Sequence, residues 1–315
     1  MEVIADMANN EYSTFIDPAT GVTHYINKTT GEIDDFDPHD VIIISKGEVQ
    51  KRKQFLEKVR LQNLQKSSSV WKERGYFVWN LYQISRLSFP NLTASNITRL
   101  IYLATYLGYD GYLVNQKSKP LSKNDVFQLL NISLASCKRF FNEMTKNNIL
   151  LIKNEKIYVN KDVFRKGSVK SKEVALLATK DTYFARLYNN GIRKIYRNST
   201  PSSHKSLSYI FQILPFVNRE YNIVCHNPLE TRLEHIQSMT LGEFCEIIGY
   251  EKINANRLWR GLFEPKFEIN SKSMSAISYV VNEIGDKSTW QMFINPNVYY
   301  MGDHWKNVEV LGCFG

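Results

Sequence analysis

One pattern occurs twice in this chain, 118 positions apart. Residues 121–144 read LSKNDVFQLLNISLASCKRFFNEM, and residues 239–262 read MTLGEFCEIIGYEKINANRLWRGL. Apolar residues coincide at Leu121/Met239, Val126/Phe244, Leu129/Ile247, Leu130/Ile248, Ile132/Tyr250, Cys137/Ala255, Phe140/Leu258, Phe141/Trp259 and Met144/Leu262, and Arg139 falls on Arg257. Each copy then closes alike, with IYVNKDVFRKG at 157–167 and MFINPNVYYMG at 292–302, where the offset has grown to 135. A segment of this size that recurs in register is one structural unit used twice, so the fold must hold two similar bodies.

Punctuation within each copy gives the order of elements. In the first, SNITRLIYLATYL at 95–107 has helical apolar spacing with Ser95 as its cap, and Gly108 and Gly111 break it before a short strand at 111–114. Ser122 caps a second helix, Asn131 to Ser133 make a tight turn, and Ser133 caps a third. Residues 149–160 then give two strands about Asn154-Glu155. The second copy runs from LSYIFQILPFVN, a helix interrupted near Pro215, through the strand YNIVC and a loop at 226–238. A helix capped by Thr240, a turn at Gly249-Tyr250, a helix over Ile253–Phe263 and strands flanking Gly285-Asp286-Lys287 complete it. This helix–strand–helix–helix–strand–strand order is that of winged helix-turn-helix domains. The expected fold class is α+β and helix-dominated, with two winged helix-turn-helix domains in tandem and a small N-terminal β-meander.

The flanking segments set the expected boundaries. Residues 1–40 hold nine acids and one base, a charge of −8, and the remaining 275 residues therefore carry +17 of the overall +9. In that acidic segment YSTFI, VTHYI and EIDDF alternate with turns at Gly21 and Gly31, which predicts three strands. Its acidic run lacks calcium-loop spacing and reads as a solvated tail or a mask for the basic face. Residues 41–69 read as a basic helical linker, and the aromatic run from Trp71 to Ile84 as helix ending before Pro90. The first winged helix then spans 70–168, a second basic helical linker 169–204, the second winged helix 205–305 and a tail 306–315. The polar stretch NSTPSSHKS at 198–206 is the boundary between the halves.

A strongly basic body points to a polyanionic partner. In a helix-turn-helix the second helix enters the major groove, so its outward residues are the candidate contacts. In copy one Leu134, Cys137, Phe141 and Met144 are assigned inward, which leaves Ser136, Lys138, Arg139 and Asn142 facing out. In copy two Ala255, Leu258 and Leu262 are inward, and Asn254, Asn256, Arg257 and Arg260 point out. Arginine pairs with guanine and asparagine with adenine, so copy two has the more base-specific chemistry and copy one the more electrostatic. Lys153 and Lys156 at the first wing and Lys287 at the tip of the second are placed for phosphate or minor-groove contact, although edge-strand lysines serve solubility equally well. Arg165, Lys166, Lys170, Lys172, Arg186, Arg193, Lys194 and Arg197 between the copies could track the backbone. The aromatics fall mainly in core stripes. Four scattered cysteines without a CxxC, and histidines far apart, offer no zinc spacing, and no phosphate loop or nucleophile motif is present. No catalytic residue, metal or cofactor is expected.

The closing strand with Asn160, Phe164 and Gly167, following SKNDVFQLLNISLASCKRFFNEM, resembles that of winged-helix replication initiator proteins of Gram-positive plasmids and related phage proteins over about residues 95–168. The two-domain layout is similar to twin winged-helix initiators of other plasmids, which bind origin repeats. The resemblance implies a phage or plasmid protein acting in a bacterial cytoplasm. It would bind double-stranded DNA at repeated origin sites to initiate replication, with a homodimer as an open possibility, and recruit host replication or transcription proteins; no apolar run approaches about 20 residues, so no membrane-spanning helix is expected. Transcription regulation through the same contacts, and a non-DNA role of binding or inhibiting a host protein, remain open alternatives on the sequence.

Overall fold

In a computed structural model the described residues are 12–16, 18, 23–27, 33–34, 76–84, 86–167, 182–269, 271–280, 289–302 and 304–308. The expected helix at 46–66, the hinge at 67–69, Lys170, Lys172, Lys287, Cys313 and the tail lie outside them. The chain divides into two units, Met1–Lys72 and Glu73–Gly315.

In the first unit, β1 (Tyr12–Ile16), β2 (Thr23–Asn27) and β3 (Ile33–Asp34) form the antiparallel meander expected from the turn spacing. Phe15 pairs with His24 and Tyr25 with Asp34.

The second unit is α+β, and a four-stranded sheet lies at its centre. Its strands are β4 (Phe77–Tyr82), β7 (Phe164–Arg165), β8 (Tyr183–Tyr188) and β13 (Tyr299–Tyr300), in the order β13-β8-β4-β7. The register reveals the relation between the two copies. Trp79 of β4 pairs with Arg165, and Arg186 of β8 pairs with Tyr300. Arg165 and Tyr300 occupy the same position in the repeat, so Trp79 and Arg186 are equivalent, and they face each other across β4 and β8. Equivalent residues meet in this way only about a twofold axis. The side chains obey it too. Trp79 Nε1 donates to the Gly167 carbonyl at 2.8 Å, and Arg186 Nη1 donates to the equivalent Gly302 carbonyl at 2.7 Å. The Arg186 guanidinium lies 5.0 Å from the centre of the Trp79 ring.

The same axis relates helices. α1 (Ala94–Ala104) of copy one packs along α5 (His204–Gln212) of copy two, and each is the first helix of its copy. α1 begins one residue before the predicted cap, with Thr93 preceding it and no side-chain cap bond. α4 (Asn189–Arg197) joins the halves. Tyr196 stacks on Tyr102 at 3.9 Å and its hydroxyl donates to the Leu130 carbonyl at 2.8 Å, while Arg193 Nη2 donates to the Thr105 carbonyl at 2.6 Å. One apolar core runs from Val78 to Met301.

These contacts correct three expectations. The run from Trp71 is not helical where it is described: residues 77–82 form β4, a central strand buried on both faces, so period-2 alternation is absent from FVWNLY. The segment 169–204 is not a linker in its described part, because β8 and α4 belong to the core. The polar stretch at 198–206 divides no domains; it is the short turn between α4 and α5, and the two copies form one body.

The closing motif explains itself locally. In copy one Asn160 Oδ1 accepts from the Asp162 amide at 2.9 Å and its amide donates to the Asn148 carbonyl at 3.0 Å. In copy two Asn295 does the same with Asn297 and Ser275, at 2.9 and 3.0 Å. The change of offset is also placed. After its last helix copy two inserts a hairpin of β9 (Lys266–Ile269) and β10 (Lys272–Ser275), which the sequence reading missed. The hairpin β5 (Leu150–Lys153)–β6 (Lys156–Val159) of copy one corresponds to β11 (Ile277–Val280)–β12 (Gln291–Ile294), joined by a longer connection.

Two measurements check this architecture. Because the copies share a core, native-state hydrogen exchange should give amides of α1 and α5 the same opening free energy, and separate unfolding of either copy would contradict it. His204 is buried at the α1–α5 contact, stacked 4.6 Å from Tyr196, with Arg99 Nε 3.4 Å from its Nδ1. Burial, and secondarily the Arg99 charge, hold its pKa down at about 4 from 6.5. The unfolded chain therefore takes up a proton that the folded chain refuses, and stability falls as pH drops from about 6.5 toward 4. Urea midpoints should fall between pH 7 and 5.5, and His204→Gln should flatten that slope.

Candidate nucleic-acid interface

Each copy presents a pair of helices joined by a tight turn. In copy one these are α2 (Lys123–Leu130) and α3 (Leu134–Lys146). Ser122 caps α2 in a reciprocal box: its Oγ accepts from the Asp125 amide at 3.1 Å, and the Asp125 carboxylate accepts from the Ser122 amide at 2.8 Å. Those bonds from Ser122 hold the Asp125 carboxyl below its ordinary pKa. Asn131 ends α2 in the left-handed conformation at φ 48°, and Ser133 caps α3. Copy two repeats the device. Thr240 and Glu243 form the box that starts α6 (Leu241–Ile247), Gly249 turns at φ 68°, and a 3-10 turn at Lys252–Asn254 leads into α7 (Ala255–Phe263). Cys137, Phe140, Phe141 and Met144 anchor α3, and Ala255, Leu258, Leu262 and Phe263 anchor α7.

The outward faces correspond residue for residue. Ala135, Lys138, Arg139 and Asn142 are exposed on α3, and Ile253, Asn256, Arg257 and Arg260 are exposed on and just before α7. Both sets have the i, i+3, i+4, i+7 spacing of a single helical face, and they match at the repeat offset. Neither face carries an acid. The one acid within α3, Glu143, is turned back: its carboxylate accepts from the Thr93 amide and from the Asn96 side chain at the start of α1, where the helix dipole favours it. α7 contains no acid, although Glu251 and Glu264 flank it.

The other assigned residues divide. Ser136 is half-buried, receives a bond from Ser133 Oγ at 3.0 Å and accepts from Arg139 Nη2 at 3.3 Å, so it braces the arginine. Asn254 is exposed but its amide is engaged with Glu251 at 3.1 Å. Lys153 is exposed and lies opposite Lys156 at the hairpin end, where Asn154 and Glu155 both have positive φ, as a two-residue turn requires. Lys156 is half-buried, its ammonium 4.6 Å from the centre of the Tyr112 ring. Leu134 is a correction: assigned inward from spacing, it is 57% exposed, because α3 starts there and the first turn projects beyond the core.

The cations between the copies are also reassigned. Arg193 packs 4.1 Å from the centre of the Tyr106 ring, and burial lowers its pKa. Arg197 Nη2 donates to the Tyr106 hydroxyl at 3.3 Å, Lys194 donates to the Glu268 carbonyl, and Arg165 Nε donates to the Lys161 carbonyl at 2.7 Å. Lys166 lies 5.1 Å from the centre of the Tyr109 ring, and Arg186 sits on the sheet axis. In each described case the structure supplies a local partner. The sequence signal that could have shown this is the interleaving of these cations with β-rich aromatic runs such as YFARLY.

Among the described residues no group of three or more His, Cys, Asp or Glu side chains could hold a metal ion, and Cys137, Cys225 and Cys245 are buried thiols. Comparison of the chain with protein-family models, with curated proteins and with solved structures gave no match.

The two capping boxes have one job in two places. Ser122→Ala and Thr240→Ala should each lower stability by about 0.5–2 kcal/mol, and Ser122→Asp should cost less than Ser122→Ala. Urea denaturation of the full chain measures all three.

Proposed function

We propose that the two copies are winged helix-turn-helix units and that the chain binds double-stranded DNA with sequence preference. The observation that carries the reading is the matched pair of acid-free faces, Lys138, Arg139 and Asn142 on α3 and Asn256, Arg257 and Arg260 on α7. Their donors suit guanine and adenine edges and phosphate oxygens, and helices of this kind enter the major groove by their outward side. The hairpin β5–β6, with Lys153 at its end, is the first wing; β11–β12 is the second. Since an approximate twofold axis relates the copies, the two faces meet a duplex in opposite senses, and one chain covers one two-part site. Replication initiation at repeated origin sites of a phage or plasmid is the preferred role, supported by the resemblance of residues 95–168 to plasmid initiators. Host replication proteins are then the expected partners, in a bacterial cytoplasm. No helix among the described residues is long and apolar enough to cross a membrane.

Selection of bound fragments from a genomic library tests this directly. Fragments from an origin support initiation; promoter fragments support regulation by the same contacts. Failure to retain any duplex at low salt, with a host protein recovered instead, overturns DNA binding. On a selected site, Arg257→Ala with Arg260→Ala should remove the preference for the bases those two arginines contact in copy two's half, at about 1–3 kcal/mol for each lost base contact. Lys138→Ala should weaken all duplexes alike and reduce the salt dependence of the binding constant by about one unit of log–log slope.

A further inference from the structure

Each proposed reading face is headed by an aliphatic side chain left in water. Ile253 is 87% exposed in the 3-10 turn that leads into α7, and Leu134 is 57% exposed at the first position of α3, next to the exposed Ala135. Ile253 stands one helical turn ahead of Arg257, as Ala135 does ahead of the equivalent Arg139 and Leu134 ahead of Lys138. A lone exposed aliphatic residue is ordinary. An aliphatic head at the same end of two matched cationic faces is a recurring arrangement, and it has a chemical complement. A protein partner would ask for a contiguous apolar patch, whereas here the apolar area is one or two side chains bordered by lysine, arginine and asparagine. The major groove offers that mixture: the thymine 5-methyl is its main apolar group, set beside purine acceptors and flanked by phosphates. The residues at the start of a reading helix are those that reach the base edges.

Resting on the duplex-binding reading above, we infer that Ile253 and Leu134, the latter with Ala135, pack on thymine methyl groups and so require a thymine in each half of the site. Ile253 and Leu134 are specificity-determining residues that the search for polar contacts alone passes over. The neighbouring Arg257 and Lys138 or Arg139 then fall on the adjacent base or phosphate, so the apolar contact fixes the register of the polar ones.

The probe is the tightest duplex selected from a random-core pool by the full chain, with each thymine replaced in turn by deoxyuridine. That exchange keeps Watson–Crick pairing and removes only the methyl. One replacement in each half should weaken binding by about fourfold, the worth of one buried methyl-sized group. Ile253→Ser should become insensitive to the replacement in one half and keep its response in the other, and Leu134→Ser with Ala135→Ser should show the converse. All three positions are exposed, so neither variant threatens the core, and matched urea midpoints confirm it. A selected site without thymine in one half overturns the inference. So does deoxyuridine that is silent everywhere, or a response that persists in both variants. If deoxyuridine is silent while Arg257→Ala with Arg260→Ala still removes the base preference in copy two's half, the duplex reading stands and this inference falls. If no duplex is selected at all, both fall.

Discussion

The contact between Trp79 and Arg186 organises the larger unit of this protein. It lies where a strand of one copy meets its equivalent in the other, and each side chain also reaches back to the last glycine of its own copy, Gly167 or Gly302. An indole and a guanidinium have little in common except a planar N–H donor of suitable reach, and that shared property is what the position demands. Stacked on each other, the pair satisfies a symmetric requirement with unlike residues. With that register set, β7 and β13 take the outer edges, α1 meets α5, and a single core closes over both copies.

Much of the local structure was legible. The caps Ser122, Ser133 and Thr240, the turn from Asn131 to Ser133 and the Asn154-Glu155 turn are governed by near neighbours in sequence, and each is found as read. The meander of the first unit followed from its turns. What escaped was the long-range part. β4 and β8 pair across more than a hundred residues. β4 is buried on both faces, so FVWNLY lacks the alternation that marks a half-exposed strand, and in YFARLY the half-buried face of β8 carries Phe184 as well as Arg186, which blurs the period. A helical reading of one and a linker reading of the other followed. The β9–β10 hairpin was hidden in the longer offset of the second closing motif, where an added element and a lengthened connection look the same in a gap count.

The candidate face was legible in its polar members and obscured at its margins. Spacing put Lys138, Arg139, Asn142, Asn256, Arg257 and Arg260 outside, and they are exposed. Spacing also put Leu134 inside, because periodicity knows the direction of a helix but not where the supporting core stops. Positive charge was read too generously in the segment between the copies. Half-buried Arg193 and exposed Lys194 and Arg197 bind carbonyls and a tyrosine that belong to distant parts of the chain, a structural use of cations that composition does not reveal. Net charge therefore overstates what is free to meet a polyanion, and the two acid-free helix faces are a better measure of it.

The approximate twofold axis has a mass-action consequence. Proteins that present paired faces by joining two identical chains lose one face whenever dilution separates the subunits, and their occupancy then varies with a higher power of concentration. Here both faces share a backbone and a core, so their pairing survives at any dilution. Fusion also frees the halves to differ, since a change in one is not forced upon the other. The unlike sequences of α3 and α7 on a common frame are the outcome: on the proposed function, one body with two unequal half-sites to address.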